Sequence, residues 1–212
     1  MKQMEILVEE ELPSEQIRKI LSQNEIPICG INAGGSAISF LAKDKITLPM
    51  YLNAGFPVVD DPEGLMARIL SYKQRFTQVK GVNLSAKAAY TYDGGKEIFF
   101  QDMRTLTEFC KKLGLEVRFV IDPYSFVKIK EIARWILQTD ITKLVIGWAP
   151  KDDAEIFQDF LINCGLLQKE MPKTTIGIYC DISILQHYKY FLPATFSPKI
   201  LAAANVLELL GD

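Results

Sequence analysis

The feature that most constrains this chain is an alternation that runs along its whole length. Short apolar runs of strand length give way to amphipathic stretches of helix length, and the switch recurs to the end. Met4–Glu9 reads as a strand and Pro13–Gln23 as a helix, with Ser14 as its cap and Ile17, Ile20 and Leu21 on one face. Ile26–Ile31, Ile46–Leu52, Val79–Ser85, Glu116–Ile121, Lys143–Trp148 and Thr175–Cys180 continue the strand series, and a brief run at Ala194–Phe196 completes it. The intervening helices are predicted over Gly35–Ala42, from Asp61-Pro62-Glu63 onward, and over Phe99–Leu113 with a stop at Gly114. Three more are predicted from Ser125 to Gln138, from Asp152 to about Asn163 with Gly165 as the end, and over Ser183–Phe191. Pro198–Leu210 reads as the closing helix.

Strands that alternate with helices imply a parallel sheet with right-handed crossovers. Eight such units in 212 residues fit a closed (β/α)₈ TIM barrel forming a single domain over residues 1–212. An open doubly wound sheet is the alternative, but no Gly-x-Gly-x-x-Gly follows the first strand. No Pro-, Gly- or Ser-rich linker divides the chain.

The charge balance narrows the partners. With 24 basic and 26 acidic residues, the formal net charge is −2, so no basic surplus points to nucleic acid. No apolar stretch reaches the ~20 residues that would cross a bilayer, so no membrane partner is expected. The start, which leads into Glu9, Glu10 and Glu11, is not a signal peptide, and a cytoplasmic location is the expectation. Cys29, Cys110, Cys164 and Cys180 form no C-x-x-C pair, and His187 is the single histidine. Reduced thiols, no metal and no cofactor follow from that set, and His187 itself reads as a helix-surface residue.

In a barrel of this type the ligand site lies at the C-terminal ends of the strands. Those ends carry Cys29, Asn32, Asn53, Asn83, Ser85, Asp122, Trp148, Tyr179 and Ser197. Ser125, Asp152 and Ser183 are explained as helix caps, but Asn53, Asn83 and Asp122 lie several residues before a helix begins. Two places could receive an anion. The Asn32–Ser36 loop leads straight into a helix, and Ser197-Pro198-Lys199 opens the last one, with Lys199 as counter-charge. Asp181 argues against the second. The ligand-binding set is therefore Cys29, Asn32, Asn53, Asn83, Ser85, Trp148, Tyr179, Ser197 and Lys199. The expected partner is a small molecule, with or without a phosphate.

From Ile26 to Leu210 the chain resembles the deoxyribose-phosphate aldolase family of barrels. Ile28-Cys29 is similar to that family's Ile-Cys-Ile-Tyr-Pro strand, and Asn53-Ala54-Gly55-Phe56-Pro57 to its Thr-Asn-Phe-Pro segment. Val79-Lys80-Gly81-Val82 resembles its Val-Asp-x-Val strand, and Glu116–Asp122 its Leu-Lys-Val-Ile-Ile-Glu strand. The resemblance implies an aldolase barrel, but the family's Schiff-base lysine on the sixth strand falls at Ile146. Its fourth-strand acid falls at Lys80, or at Val79 after a one-residue slip. Catalytic candidates are then Lys80, which could serve as the amine if it faces inward, and Asp122. The same strand permits another arrangement, with Gly81, Asn83 and Ser85 inside and Lys80 outside. Two functions stay open: a divergent carbon–carbon lyase acting on a small phosphorylated sugar or aldehyde, and a barrel that binds a small anion or a protein partner without catalysis.

Overall fold

Strands form where β-branched and aliphatic residues cluster between turn signals, and the first such run, Met4–Val8, is β1 in the computed structural model. The structure describes residues 4–8, 14–23, 28–54, 62–85, 95–121, 134, 136–137, 141, 143–147, 163–180 and 199–202. After β1 come α1 (Ser14–Gln23), β2 (Ile28–Ala33), α2 (Gly35–Lys43), β3 (Met50–Asn53), α3 (Pro62–Arg75), β4 (Val79–Ser85) and α4 (Gly95–Lys112). Then follow β5 (Glu116–Ile121), β6 (Lys143–Gly147), β7 (Thr175–Cys180) and β8 (Lys199–Ala202). The fold is α/β with a parallel sheet, as the alternation requires. Strands pair in sequence order, and β8 returns to β1 through Met4, Glu5 and Ile6 against Ile200, Leu201 and Ala202.

Side-chain alternation along each strand sorts residues onto two faces. Ile6, Val8, Ile31, Ala33, Leu52, Val82, Leu84, Val117, Phe119, Ile121 and Leu144 join one buried apolar cluster with Ile17, Ile38, Leu41, Leu65, Ile69, Phe99, Met103 and Leu106 of the helices. Glu5, Asn32, Tyr51, Gly81, Asn83, Arg118, Lys143 and Val145 take the other face and line the interior of the curled sheet.

Several assignments differ from the sequence reading. The second strand lies two residues further on, at Ile28–Ala33, which leaves Cys29 at its beginning. The third is confined to Met50–Asn53. Lys45, with φ of 58°, turns the chain before it, and Pro49 has no N–H for a ladder, although its carbonyl accepts from Ile31 N at 2.9 Å. Gly165 does not end a helix: residues 163–170 are helical. Cys164, Leu167 and Met171 carry a buried face past the glycine, and Gln168 then ties the end down, donating to Thr174 O and accepting from Ile176 N.

The eighth strand is Lys199–Ala202, in the stretch assigned to the closing helix. The expected strand at Ala194–Phe196 lies outside the described residues, as do the helices predicted from Asp152 and over Ser183–Phe191. A short apolar run such as Ile200-Leu201-Ala202 is equally legible as strand or buried helix. Pairing on both sides, to Ile178–Cys180 and to Met4–Ile6, makes it strand. The predicted glycine stop of α4 holds: Gly114 has φ of +68°, and its N–H donates to Lys111 O.

Candidate functional site

The interior of the sheet is built around a carboxylate. Glu5, the second residue of β1, has a side chain only 5% exposed, and it accepts from Arg118 Nη1 at 2.5 Å, Lys143 Nζ at 2.9 Å and Asn32 Nδ2 at 3.1 Å. Arg118 also donates to Glu116 through Nε at 3.0 Å. Its guanidinium stacks on the Tyr51 ring, with Cζ 3.2 Å from the centroid. Tyr51 lies flat across this space because its neighbours on both sides are glycines. A Cβ on Gly30 would meet Tyr51 Cε2 at 2.9 Å, and one on Gly81 would meet Tyr51 Cδ1 at 2.8 Å.

The electrostatics follow from burial and from one carboxylate shared by two cations. Burial alone would raise the Glu5 carboxyl, but the charges of Lys143 and Arg118 and their hydrogen bonds hold it below the ordinary carboxylate value. Burial pushes the Lys143 ammonium down, and despite the opposing pull of Glu5 it stays below the usual lysine value, with Arg118 adding to the depression. The Tyr51 phenol is pushed up to about 12, by burial first.

Above this charged floor, toward the C-terminal ends of the strands, three asparagines meet. Asn83 Nδ2 donates to Asn32 Oδ1 and to Asn53 Oδ1, each at 2.7 Å. Asn32 Nδ2 donates in turn to Glu5 and, at 3.4 Å, to Ile6 O. Asn32 and Asn83 are buried and Asn53 is half-buried at the rim. Asn83 Oδ1 is buried without a hydrogen-bond partner among the described residues.

Of the residues singled out from the sequence, Asn32, Asn53 and Asn83 converge. Cys29 does not join them: it is half-buried at the start of β2, at the end away from the rim. Lys80 is exposed, while Gly81 and Asn83 beside it are buried. The fourth strand therefore offers no interior amine, and the outward placement of Lys80 is the one realised. Ser85, the last residue of β4, is paired with Val120, and Tyr179 is paired with Gly147 and Leu201. Lys199 opens β8 opposite Gly177, so it begins a strand and does not stand in the first turn of a helix. The anion site expected there loses its basis. Asp122, Trp148 and Ser197 lie outside the described residues. Ile146 is paired with Ile121 and Ile178.

Glu5, Tyr51, Arg118 and Lys143 were missed by the sequence reading. A signal was present: each is a polar residue set inside an apolar strand, as in Met4-Glu5-Ile6-Leu7-Val8 and Val117-Arg118-Phe119. A charge in a strand buried on both faces needs a partner.

No family model matches the sequence, and no curated protein matches it. Solved structures match in fold. N-acetylneuraminate lyase from Mycoplasma synoviae superposes with a TM-score of 0.57 at 10% identity, over 96% of this chain and 69% of that one. CdNal from Clostridium difficile, in complex with mannosamine, gives 0.57 at 10% identity, over 97% and 70%. The N-terminal domain of a candidate aldolase from Bacteroides vulgatus gives 0.57 at 14% identity, over 96% and 72%. At these identities the likeness shows the fold alone, a parallel α/β barrel.

Proposed function

We propose that the chain is a divergent aldolase-like lyase on a complete (β/α)₈ barrel, acting on a small aldehyde or ketone, with Lys143 as its amine. One observation carries this. Lys143 opens the sixth strand, the strand on which the family the sequence resembles carries its Schiff-base lysine further along, at the position of Ile146, and it is buried in the interior beside a second cation. Burial and Arg118 favour the neutral amine, the form that attacks a carbonyl. Glu5 accepts a hydrogen bond from Lys143 Nζ at 2.9 Å and so fixes where the amine points. The amine nitrogen adds to the carbonyl carbon, the carbonyl oxygen leaves as water with hydrogens from the amine, and the resulting C=N can take up the electron pair of a breaking C–C bond. A phosphorylated sugar as substrate, as in the deoxyribose-phosphate aldolase family, is the narrower version.

A second reading, binding without catalysis, is favoured by the Lys143–Glu5 pair itself, which employs the ammonium as a structural partner. Borohydride treatment with deoxyribose 5-phosphate, glyceraldehyde, dihydroxyacetone and mannosamine separates the two. The lyase reading expects a mass gain of the ligand less one oxygen atom, mapped to the Lys143 peptide and absent in Lys143→Met. No adduct with any of these compounds, or an adduct that survives the substitution, favours binding alone.

A further inference from the structure

The hydrogen-bond polarity of the three asparagines is fixed from below. Glu5 is an acceptor only, and so is Ile6 O, so the Asn32 amide group must face them and Asn32 Oδ1 must face Asn83. Asn83 therefore has to present its own amide group to Asn32, and it places its second hydrogen on Asn53 Oδ1. Rotating Asn83 by half a turn would set its oxygen against two oxygens. What remains is Asn83 Oδ1, an acceptor on a residue only 6% exposed, with no donor among the described residues. Beside it, Asn53 keeps its amide hydrogens at the half-buried rim.

We infer that this rim reads the hydroxyl end of a neutral hydroxy-carbonyl compound, with Asn83 Oδ1 as the acceptor for the ligand O–H and Asn53 as the donor to its oxygen. This rests on the reading that the rim holds a small carbonyl ligand, and it specifies which end of that ligand is buried. A carboxylate or the dianion of a phosphate ester there would bring acceptors only and leave Asn83 Oδ1 unsatisfied. A hydroxyl both donates and accepts, which matches an acceptor and a donor side by side. An acidic or phosphorylated end of the ligand must then point outward, away from the asparagines.

The test compares dihydroxyacetone with 1,3-dimethoxyacetone on the wild-type chain by calorimetry or ligand-observed NMR. Both are ketones, so imine formation affects them alike, but the ether has no O–H to donate. The expected result is at least a tenfold weaker affinity for the ether, and loss of that preference in Asn83→Leu, with acetate unable to displace dihydroxyacetone. Equal affinities for the two ketones overturn the inference, as does displacement by acetate or no binding of dihydroxyacetone at all. The comparison on wild type stands even if Asn83→Leu does not fold. Failure here is distinguishable from failure of the lyase reading. Hydroxyl selectivity without a Lys143 adduct removes the lyase and leaves the rim. A Lys143 adduct formed equally well in Asn83→Leu removes the rim and leaves the lyase.

Discussion

Replacing Glu5 by glutamine tests the account of the interior at its centre. The side chain keeps its shape but loses its charge, and Arg118, Lys143 and Asn32 all offer donors to the space it occupies. The glutamine amide would add a fourth donor where acceptors are needed, and two cations whose side chains are 1% and 2% exposed would lose the carboxylate between them. Removing one partner from a buried ion pair costs about 3–5 kcal/mol. Against a total stability on the order of 5–15 kcal/mol, that is a large fraction. For a chain of this length it corresponds to a fall in Tm on the order of 10 °C. Lys143→Met should cost less, about 1–3 kcal/mol, because Glu5 keeps Arg118 and Asn32 and the buried ammonium is already disfavoured. Glu116→Gln should cost no more than about 1 kcal/mol, since that carboxylate is 36% exposed. Urea unfolding followed by circular dichroism measures all three. The order Glu5→Gln, then Lys143→Met, then Glu116→Gln is the expected result. A Glu5→Gln loss below about 1 kcal/mol, or one no larger than that of Lys143→Met, would refute the argument.

Three further outcomes follow from the same geometry. Because the Glu5 carboxyl is held below its unfolded value, its contribution is present above that value and lost as pH falls through the folded one. The stability gap between wild type and Glu5→Gln should therefore be full at neutral pH and narrow below about pH 4; a gap independent of pH down to acid unfolding would contradict this. Gly81→Ala should destabilise by about 1–3 kcal/mol, since the new Cβ would lie 2.6 Å from Glu116 O and 2.8 Å from the Tyr51 ring; a neutral result in denaturant titration would mean that Tyr51 is free to shift. Gly114→Ala, at φ of +68° with open space around the Cβ, should cost about 1–2 kcal/mol through backbone strain alone, measured the same way.

The strands were legible wherever apolar runs are bounded by unambiguous turn signals. Val79–Ser85, Glu116–Ile121 and Thr175–Cys180 fall where the sequence puts them. They went astray where a turn depends on a conformation that composition does not announce, as at Lys45, or where an apolar run is too short to have a period, as at Ile200–Ala202. In the site, Asn32, Asn53 and Asn83 were found because each is a polar residue near the end of a strand, and Asn53 and Asn83 lie several residues before a helix begins. Glu5, Arg118 and Lys143 were not, because their positions early or midway in strands read as ordinary surface charge until the sheet curls and brings β1, β5 and β6 face to face. Glu5 and Lys143 are 138 residues apart in sequence, and pairing across that separation is a product of topology. Reading the fourth-strand lysine as an interior amine rested on the resemblance; Asn83 and Gly81 held that face and left Lys80 to solvent.

Barrel interiors of this class are ordinarily filled by branched aliphatic side chains, so a charged layer here calls for a reason. Space-filling is not one, since apolar residues of similar volume in place of a buried ion group are often neutral or stabilising by about 1–4 kcal/mol. The hydrogen bonds give what the charge contributes: the acceptor-only carboxylate of Glu5 orients Asn32, Asn32 orients Asn83, and Asn83 is left with a buried oxygen that has no donor among the described residues. Substituting Glu5→Leu, Arg118→Met and Lys143→Leu together separates the two roles. The triple variant should fold with stability equal to or above wild type, because no charge is left stranded on the interior and the half-exposed Glu116 remains solvated. Its Asn32 keeps only the longer hydrogen bond to Ile6 O, at 3.4 Å, so its orientation and that of Asn83 are held less firmly. The preference for dihydroxyacetone over its dimethyl ether should then fall toward unity while the fold persists. A triple variant that keeps the full preference would show that the asparagines orient themselves without the charge below them. One that unfolds would show that the ion network is needed by the barrel itself.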